Sequence, residues 1–247
     1  MTSSAGDSPP SRVAIVAGAT RGIGRATARR LAREGWWVVV TYAHDQRQAE
    51  STVETILASG GVAEAVRADV TDELDVERLF SEALEVCGGV DAVVQAVIGT
   101  LAPSRALANV QLEEFEALNK NGARAAFLVN REAARHLRAG GAIVNITSVA
   151  VTRPRARTAA DAAGRAAVDA LTRVAALELA ERDITVNAVA LDVAGRCRPD
   201  HVADAVAYLL SEGARGITGQ VVRIDDPTWE LGARRNGAVP SALARSF

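Results

Sequence analysis

Apolar runs and helix-period segments alternate along this chain almost from end to end. An apolar run at 13–17 leads into an amphipathic stretch over 22–34 that stops at Gly35. A second run at 37–41 is followed by a helical pattern over 46–59, closed by Gly60-Gly61. Strands are expected at 62–68 and 91–96, with a helix over 71–86 between them. A long helical stretch, 112–138, then leads to a strand at 142–147, a helix over 160–181 and a strand at 184–190. A short helix at 201–211 and a last strand at 220–224 complete the series. Such alternation predicts βαβ units and a parallel sheet, because parallel strands need a crossover that a helix supplies. Unbroken runs such as Val38-Val39-Val40 suit strands covered on both faces. The expected fold is α/β, a Rossmann-type doubly wound parallel sheet of about seven strands in a three-layer α/β/α arrangement.

Residues 1–11 and 228–247 lack sustained periodicity and are expected to be mobile or partner-docked tails around a single domain spanning 12–227. The first dozen residues are polar and rich in Pro and Ser, without the apolar core of a signal peptide. No run approaches membrane-spanning length. A net charge of −2 offers no basic field to nucleic acid. Cys87 and Cys197 lie far apart, which suits a reduced, cytoplasmic protein better than a disulfide framework. His44, His136 and His201 have no metal-ligand spacing and are expected at the surface or at caps.

The segment Ala17-Gly18-Ala19-Thr20-Arg21-Gly22-Ile23-Gly24 follows the first strand and opens the first helix. Glycines there let the backbone turn tightly and approach a pyrophosphate, which then sits on free helix amides. A glycine turn without a ligand is the alternative. Asp69-Val70 follows the third strand, and Asp69 could cap a helix by reaching into the Thr71 turn, a role that does not exclude contact with a ligand.

The stretch over 141–190, GAIVNITSVAVTRPRARTAADAAGRAAVDALTRVAALELAERDITVNAVA, resembles the short-chain dehydrogenase/reductase family of the 3-oxoacyl-acyl-carrier-protein reductase kind. The resemblance extends over roughly 12–226. In that family a strand Ser is followed thirteen residues later by Tyr-x-x-x-Lys on a helix. Here Ser148 stands in place, but Asp161 holds the Tyr position and Arg165 the Lys position.

The resemblance implies a nicotinamide dinucleotide as cofactor. Its binding residues would be Gly18, Thr20, Arg21, Gly22, Ile23, Gly24, Tyr42, Asp69, Val70 and Arg165, with the adenine amino group on Asp69. The second strand runs into Thr41-Tyr42-Ala43-His44 with no acid until Asp45, and Arg21 suits a 2′-phosphate. NADP(H) is therefore expected over NAD(H), with Asp45 a mild argument the other way.

The chemical end departs from the family pattern. Its Asn-Asn-Ala-Gly becomes Gln95-Ala96-Val97-Ile98, although a one-residue slip would recover Gly99. Its helical Asn becomes Gly122, with Asn121 about 100° away around the helix. Its Pro-Gly becomes Leu191-Asp192, its carboxamide-binding Thr has no counterpart in Val193-Ala194-Gly195-Arg196, and the substrate lid is nearly deleted before Pro199. Carbonyl reduction needs a proton donor beside the substrate. An aspartate at neutral pH is ordinarily a carboxylate, which cannot give a proton and repels the forming alkoxide. An Asp161–Arg165 ion pair at i,i+4 is the expected role of the two residues, with Arg165 also within reach of a ribose.

Three functions fit these residues. One is an NADP(H)-dependent ketoreductase acting on a small carbonyl or acyl-carrier substrate through a rearranged acid group. Another is a catalytically silent dinucleotide binder that senses cofactor and holds it weakly at the nicotinamide end. The third is a non-catalytic subunit docked on an active paralogue. In the family, the long helices expected here at 112–138 and 160–181 build a homodimer or homotetramer interface. Ala123, Ala125, Ala126, Ala133 and Ala134, with Ala163, Ala166, Ala167 and Ala170, would pack closely there, or would simply face the sheet. The run Arg153-Pro154-Arg155-Ala156-Arg157 fits an anionic ligand such as a carrier-protein phosphate arm, or else a solvated loop.

Overall fold

A computed structural model describes residues 12–98, 105–191 and 197–224. The expected tails, Gly99 and the segment 192–196 lie outside those residues. In chain order the elements are β1 (Val13–Ala17), α1 (Gly22–Arg33), β2 (Trp37–Tyr42), α2 (Gln46–Ala58), β3 (Val62–Arg67), α3 (Glu73–Cys87) and β4 (Val90–Gln95). Next come α4 (Leu112–Asn119), α5 (Ala125–His136), β5 (Leu137–Ser148), α6 (Ala159–Glu178), β6 (Thr185–Leu191), α7 (Pro199–Leu209) and β7 (Val221–Ile224). The seven strands pair in the order β3-β2-β1-β4-β5-β6-β7, every neighbour parallel.

Period-two alternation splits β1 between two cores. Ala14 and Val16 join Leu31, Ile56, Val202 and Val206 on one face of the sheet. Val13, Ile15 and Ala17 join Leu79, Phe80, Val129 and Ala176 on the other. The layers are thus α1, α2 and α7 on one side, with α3, α5 and α6 on the other, as the alternating pattern requires. After β3 the chain returns to the far side of β1 and builds outwards through β4. The strand order therefore reverses between β1 and β4, and the carboxyl ends of those strands flank the crevice where doubly wound sheets take ligands.

Two expected helices differ in detail. The stretch 112–138 is broken by a five-residue π turn, Lys120–Arg124. It ends at His136 because Leu137 pairs with Val90 as the first residue of β5. That strand begins well before residue 142. Gly140, at φ 74°, and Gly141, whose Cβ would come 2.8 Å from the Asp91 carbonyl oxygen, let the chain pass where a side chain would not fit. The helix expected over 160–181 stops at Glu178 and tightens into a 3₁₀ turn at Ala180–Arg182.

Candidate functional site: a dinucleotide crevice

The glycine loop has the geometry its sequence requires. Gly18 leaves β1 at φ 78°, and its amide donates to Thr41 Oγ1 at 3.2 Å. A Cβ at Gly24 would lie 2.2 Å from the Gly18 carbonyl oxygen, so the loop closes only over glycine. Gly22, at φ 54°, has nothing within 4 Å of its Cβ position and opens onto space. Ile23 packs partly against the core. The start of α1 carries no side-chain cap and no acid in its first turn. By contrast, Asp45 caps α2 by accepting from the Gln48 amide at 3.2 Å, and Asp72 caps α3 by accepting from Asp75 at 3.1 Å. Bare first-turn amides with the positive dipole end suit a phosphate.

A cleft of about 500 Å³ runs from this loop across the ends of β2 and β3. Of the cofactor residues read from the sequence at this end, Gly18, Thr20, Arg21, Tyr42, Asp69 and Val70 line it, while Gly22, Ile23 and Gly24 do not. Asp69 Oδ1 accepts from the Thr71 amide at 2.9 Å and the Thr71 hydroxyl at 2.7 Å. Burial pushes the Asp69 carboxyl up, but the two Thr71 donors, with Lys120 and His44 nearby, outweigh it and hold the group below its ordinary range. Asp69 does reach into the Thr71 turn, yet the cap of α3 is Asp72.

His44, expected as a surface or cap residue, lines the same cleft with Lys120 and Asn121. Lys120 is the only lysine of the chain. Its place in the site was missed because nothing in the local pattern announces the π turn that it begins or brings that turn to the cleft. His136 lies at the end of α5, with Nε2 3.4 Å from Glu132 Oε2. His201 lies in the first turn of α7.

The other end of the crevice is built differently. Ser148 ends β5, 1% exposed, and its Oγ accepts from the Ala150 amide at 3.2 Å. On α6, Arg165 Nε donates to Asp161 Oδ1 at 3.2 Å, the expected i,i+4 pair. Arg165 is only 6% exposed, and its Nη2 donates to the Ile98 carbonyl oxygen beyond β4. Among the described residues no hydrogen bond joins Ser148 to Asp161 or Arg165. Gln95 turns back on its own strand end, accepting from the Val97 amide at 2.7 Å. Gly122 lies inside the π turn with open space at its Cβ position. Asn121 does not fill that space, since its side chain donates to the Ala117 carbonyl at 3.1 Å. Leu191 is buried at the end of β6, while Asp192 and Val193-Ala194-Gly195-Arg196 lie outside the described residues.

A family model described as enoyl-(acyl carrier protein) reductase matches residues 18–194. The chain belongs to the short-chain dehydrogenase/reductase family. It is 32% identical over 237 residues to a 3-oxoacyl-[acyl-carrier-protein] reductase of Synechocystis sp., covering 87% of this chain and 95% of that one. A short-chain dehydrogenase of Burkholderia cenocepacia, solved in complex with NADP, superposes with a TM-score of 0.80 at 32% identity, covering 87% of this chain and 96% of that one. A short-chain dehydrogenase/reductase of Serratia marcescens gives a TM-score of 0.80 at 30% identity over 88% of this chain and 98% of that one. By family this short-chain dehydrogenase/reductase is thus an oxidoreductase of ketoreductase descent. Among its described residues, no helix is long and apolar enough to cross a membrane.

Proposed function

We propose that residues 12–227 act as one dinucleotide-binding domain whose active site no longer performs the carbonyl reduction of its relatives. The observation that carries this reading is the Asp161–Arg165 pair, which stands where the family needs a proton donor and its lysine. The open space at Gly122, in place of the relay Asn, supports it from a second element. Dinucleotide binding itself is supported by the lined cleft, by the uncapped start of α1 and by the NADP held in the Burkholderia relative. Asp69 offers an oxygen to an adenine amino group, since both Thr71 donors fall on Oδ1.

The cofactor in this proposal is NADP(H) rather than NAD(H). Asp45, the mild argument for NAD, is committed to capping α2, and Arg21 is exposed at the cleft. The residues on the nicotinamide side, Asp161, Arg165 and Gly122, do not fit a group that must pass hydride to a carbonyl. A reduced, cytoplasmic setting belongs to the same proposal, Cys87 and Cys197 both being unbridged. Calorimetry with NADPH and NADH tests the reading, alongside a carbonyl panel followed by NADPH absorbance. Binding without oxidation is the expected result; turnover that Ser148→Ala abolishes would overturn it.

A second reading, a subunit that associates with itself or with an active paralogue, draws on the outer face of α6. Ala163, Ala166, Ala167 and Ala170 are exposed there, with Val174 at 50% and Leu177 at 79%. The matching alanines of α5 do not share that face: Ala125, Ala126 and Ala133 are buried and Ala134 packs against the core. Sizing chromatography of the pure chain decides self-association, and a monomer peak in the presence of the paralogue would remove this reading.

A further inference from the structure

We propose that the crevice is read by the adenosine diphosphate half of its ligand alone, and that Arg165 bars the other half. The inference rests on the reading that this chain binds a dinucleotide. It adds that the binding free energy comes from one end.

The cleft that accepts the first nucleoside and its phosphates has its walls in place. Tyr42 and His44 come from the end of β2, Asp69 from the end of β3, and Thr20 and Arg21 from the glycine loop. The second nucleoside would lie beyond the pyrophosphate, beside Ser148 and the Asp161–Arg165 pair that hold the family's reacting positions, between the end of β4 and α6. One contact crosses that gap in this chain, and two others hold the end of β4 that it reaches. Val97 Cγ2 lies 2.8 Å from where a Gly18 Cβ would stand, so its isopropyl group rests directly on the loop. Gln95 grips Val97 from below through its amide. From the opposite side, the buried Arg165 guanidinium spans from Asp161 on its own helix to the Ile98 carbonyl.

A second nucleoside needs the room between Ile98 and α6. To take it, the ligand must part a charge-assisted hydrogen bond and move a guanidinium whose surroundings exclude water. An ordinary lysine at this position would leave a compact ammonium that faces a ribose without forking to two protein partners. Arginine's planar fork does the opposite and ties the two walls together. Arg165 therefore acts as a crossbar, and a ligand ending at its diphosphate bears none of that cost.

The test is calorimetry on the full chain with two matched pairs, ADP against NADH and adenosine 2′-phosphate 5′-diphosphate against NADPH. Each half should bind within about threefold of its dinucleotide, and Arg165→Ala should tighten NADPH by about tenfold, the scale of one charge-assisted hydrogen bond, while leaving ADP unchanged. Arg165→Gln provides the same comparison should the alanine variant not fold, as judged by circular dichroism. Dinucleotides tighter than their halves by tenfold or more, or loosened by substitution of Arg165, overturn the crossbar while dinucleotide binding stands. If none of the four ligands binds, the crossbar and the dinucleotide reading fall together.

Discussion

The Thr147 hydroxyl donates to the Asp169 carboxylate at 2.9 Å, one residue before Ser148 and one helical turn after Arg165. Asp169 is 2% exposed. Burial pushes its carboxyl above the ordinary value of 3.8, against the opposing hydrogen bond from Thr147 and the charge of Arg173. A carboxyl whose folded value is raised costs stability once ionised. That penalty grows as pH rises from 3.8 through the folded value and is complete above it. Asp169→Asn keeps an acceptor for Thr147 and removes the charge. Its melting temperature at pH 7 should exceed that of the parent by about 2–4 °C for each kcal/mol relieved. A lower melting temperature at pH 7 would mean that the charge itself is used.

Asn130 and Asn145 exchange side-chain hydrogen bonds at 2.8 and 3.1 Å, and Asn145 also donates to Thr172 at 3.1 Å. All three residues are buried where α5 and α6 meet β5. Asn145→Leu leaves the buried Asn130 Oδ1 without its donor, while Asn130 Nδ2 keeps the Ala126 carbonyl and Thr172 keeps that of Val168, and a buried group left unpaired costs about 1–3 kcal/mol. Urea unfolding should show a loss of about 2 kcal/mol or more with an unchanged m-value.

Gly24→Ala asks for room that the backbone does not have, its Cβ meeting the Gly18 carbonyl at 2.2 Å. The loop must shift, at a cost of about 1–3 kcal/mol. Adenosine 2′,5′-bisphosphate binding should weaken by tenfold or more in calorimetry, because the loop carries the phosphate-facing amides. Wild-type affinity in this variant would place the phosphates elsewhere.

Restoring the family residues at two positions should not restore chemistry. Asp161→Tyr with Arg165→Lys supplies the proton donor and its partner but leaves position 122 as glycine. NADPH oxidation with a carbonyl panel should stay at background in the double variant. Activity from two substitutions would show that Gly122 and the shortened segment before Pro199 are not decisive.

Cys87 offers a simple control on packing. Burial, with Glu64 beside it, pushes its thiol up to about 12. A thiol held so far from its thiolate should resist alkylation at pH 8 in the folded chain and react fully in denaturant. Thiol titration under both conditions reads this directly.

Local pattern revealed most of the fold because parallel strands and amphipathic helices each carry their own period. Strand ends followed by glycine or aspartate likewise gave away the adenine side, where Gly18, Gly24 and Asp69 act through their own backbone turns. The nicotinamide side was only half visible. Asp161 and Arg165 declared themselves by spacing, and their pairing comes from one helical turn. The bond from Arg165 to Ile98 did not, since 67 positions separate the two and nothing but the folded sheet brings them together. The same holds for Lys120 and His44, whose place in the cleft depends on where a wide turn and a strand end meet.

That wide turn has a consequence of its own. The five residues from Lys120 to Arg124 hold one more residue than an α-helical turn would, and the wider turn takes it up with less rotation per residue. The helix therefore keeps its phase across the turn, and Ala125, Leu128, Val129 and Ala133 still face the sheet beyond it. Gly122 sits in that turn with open space where a side chain would stand. The backbone notch belongs to the helix itself, whatever chemistry stands beside it.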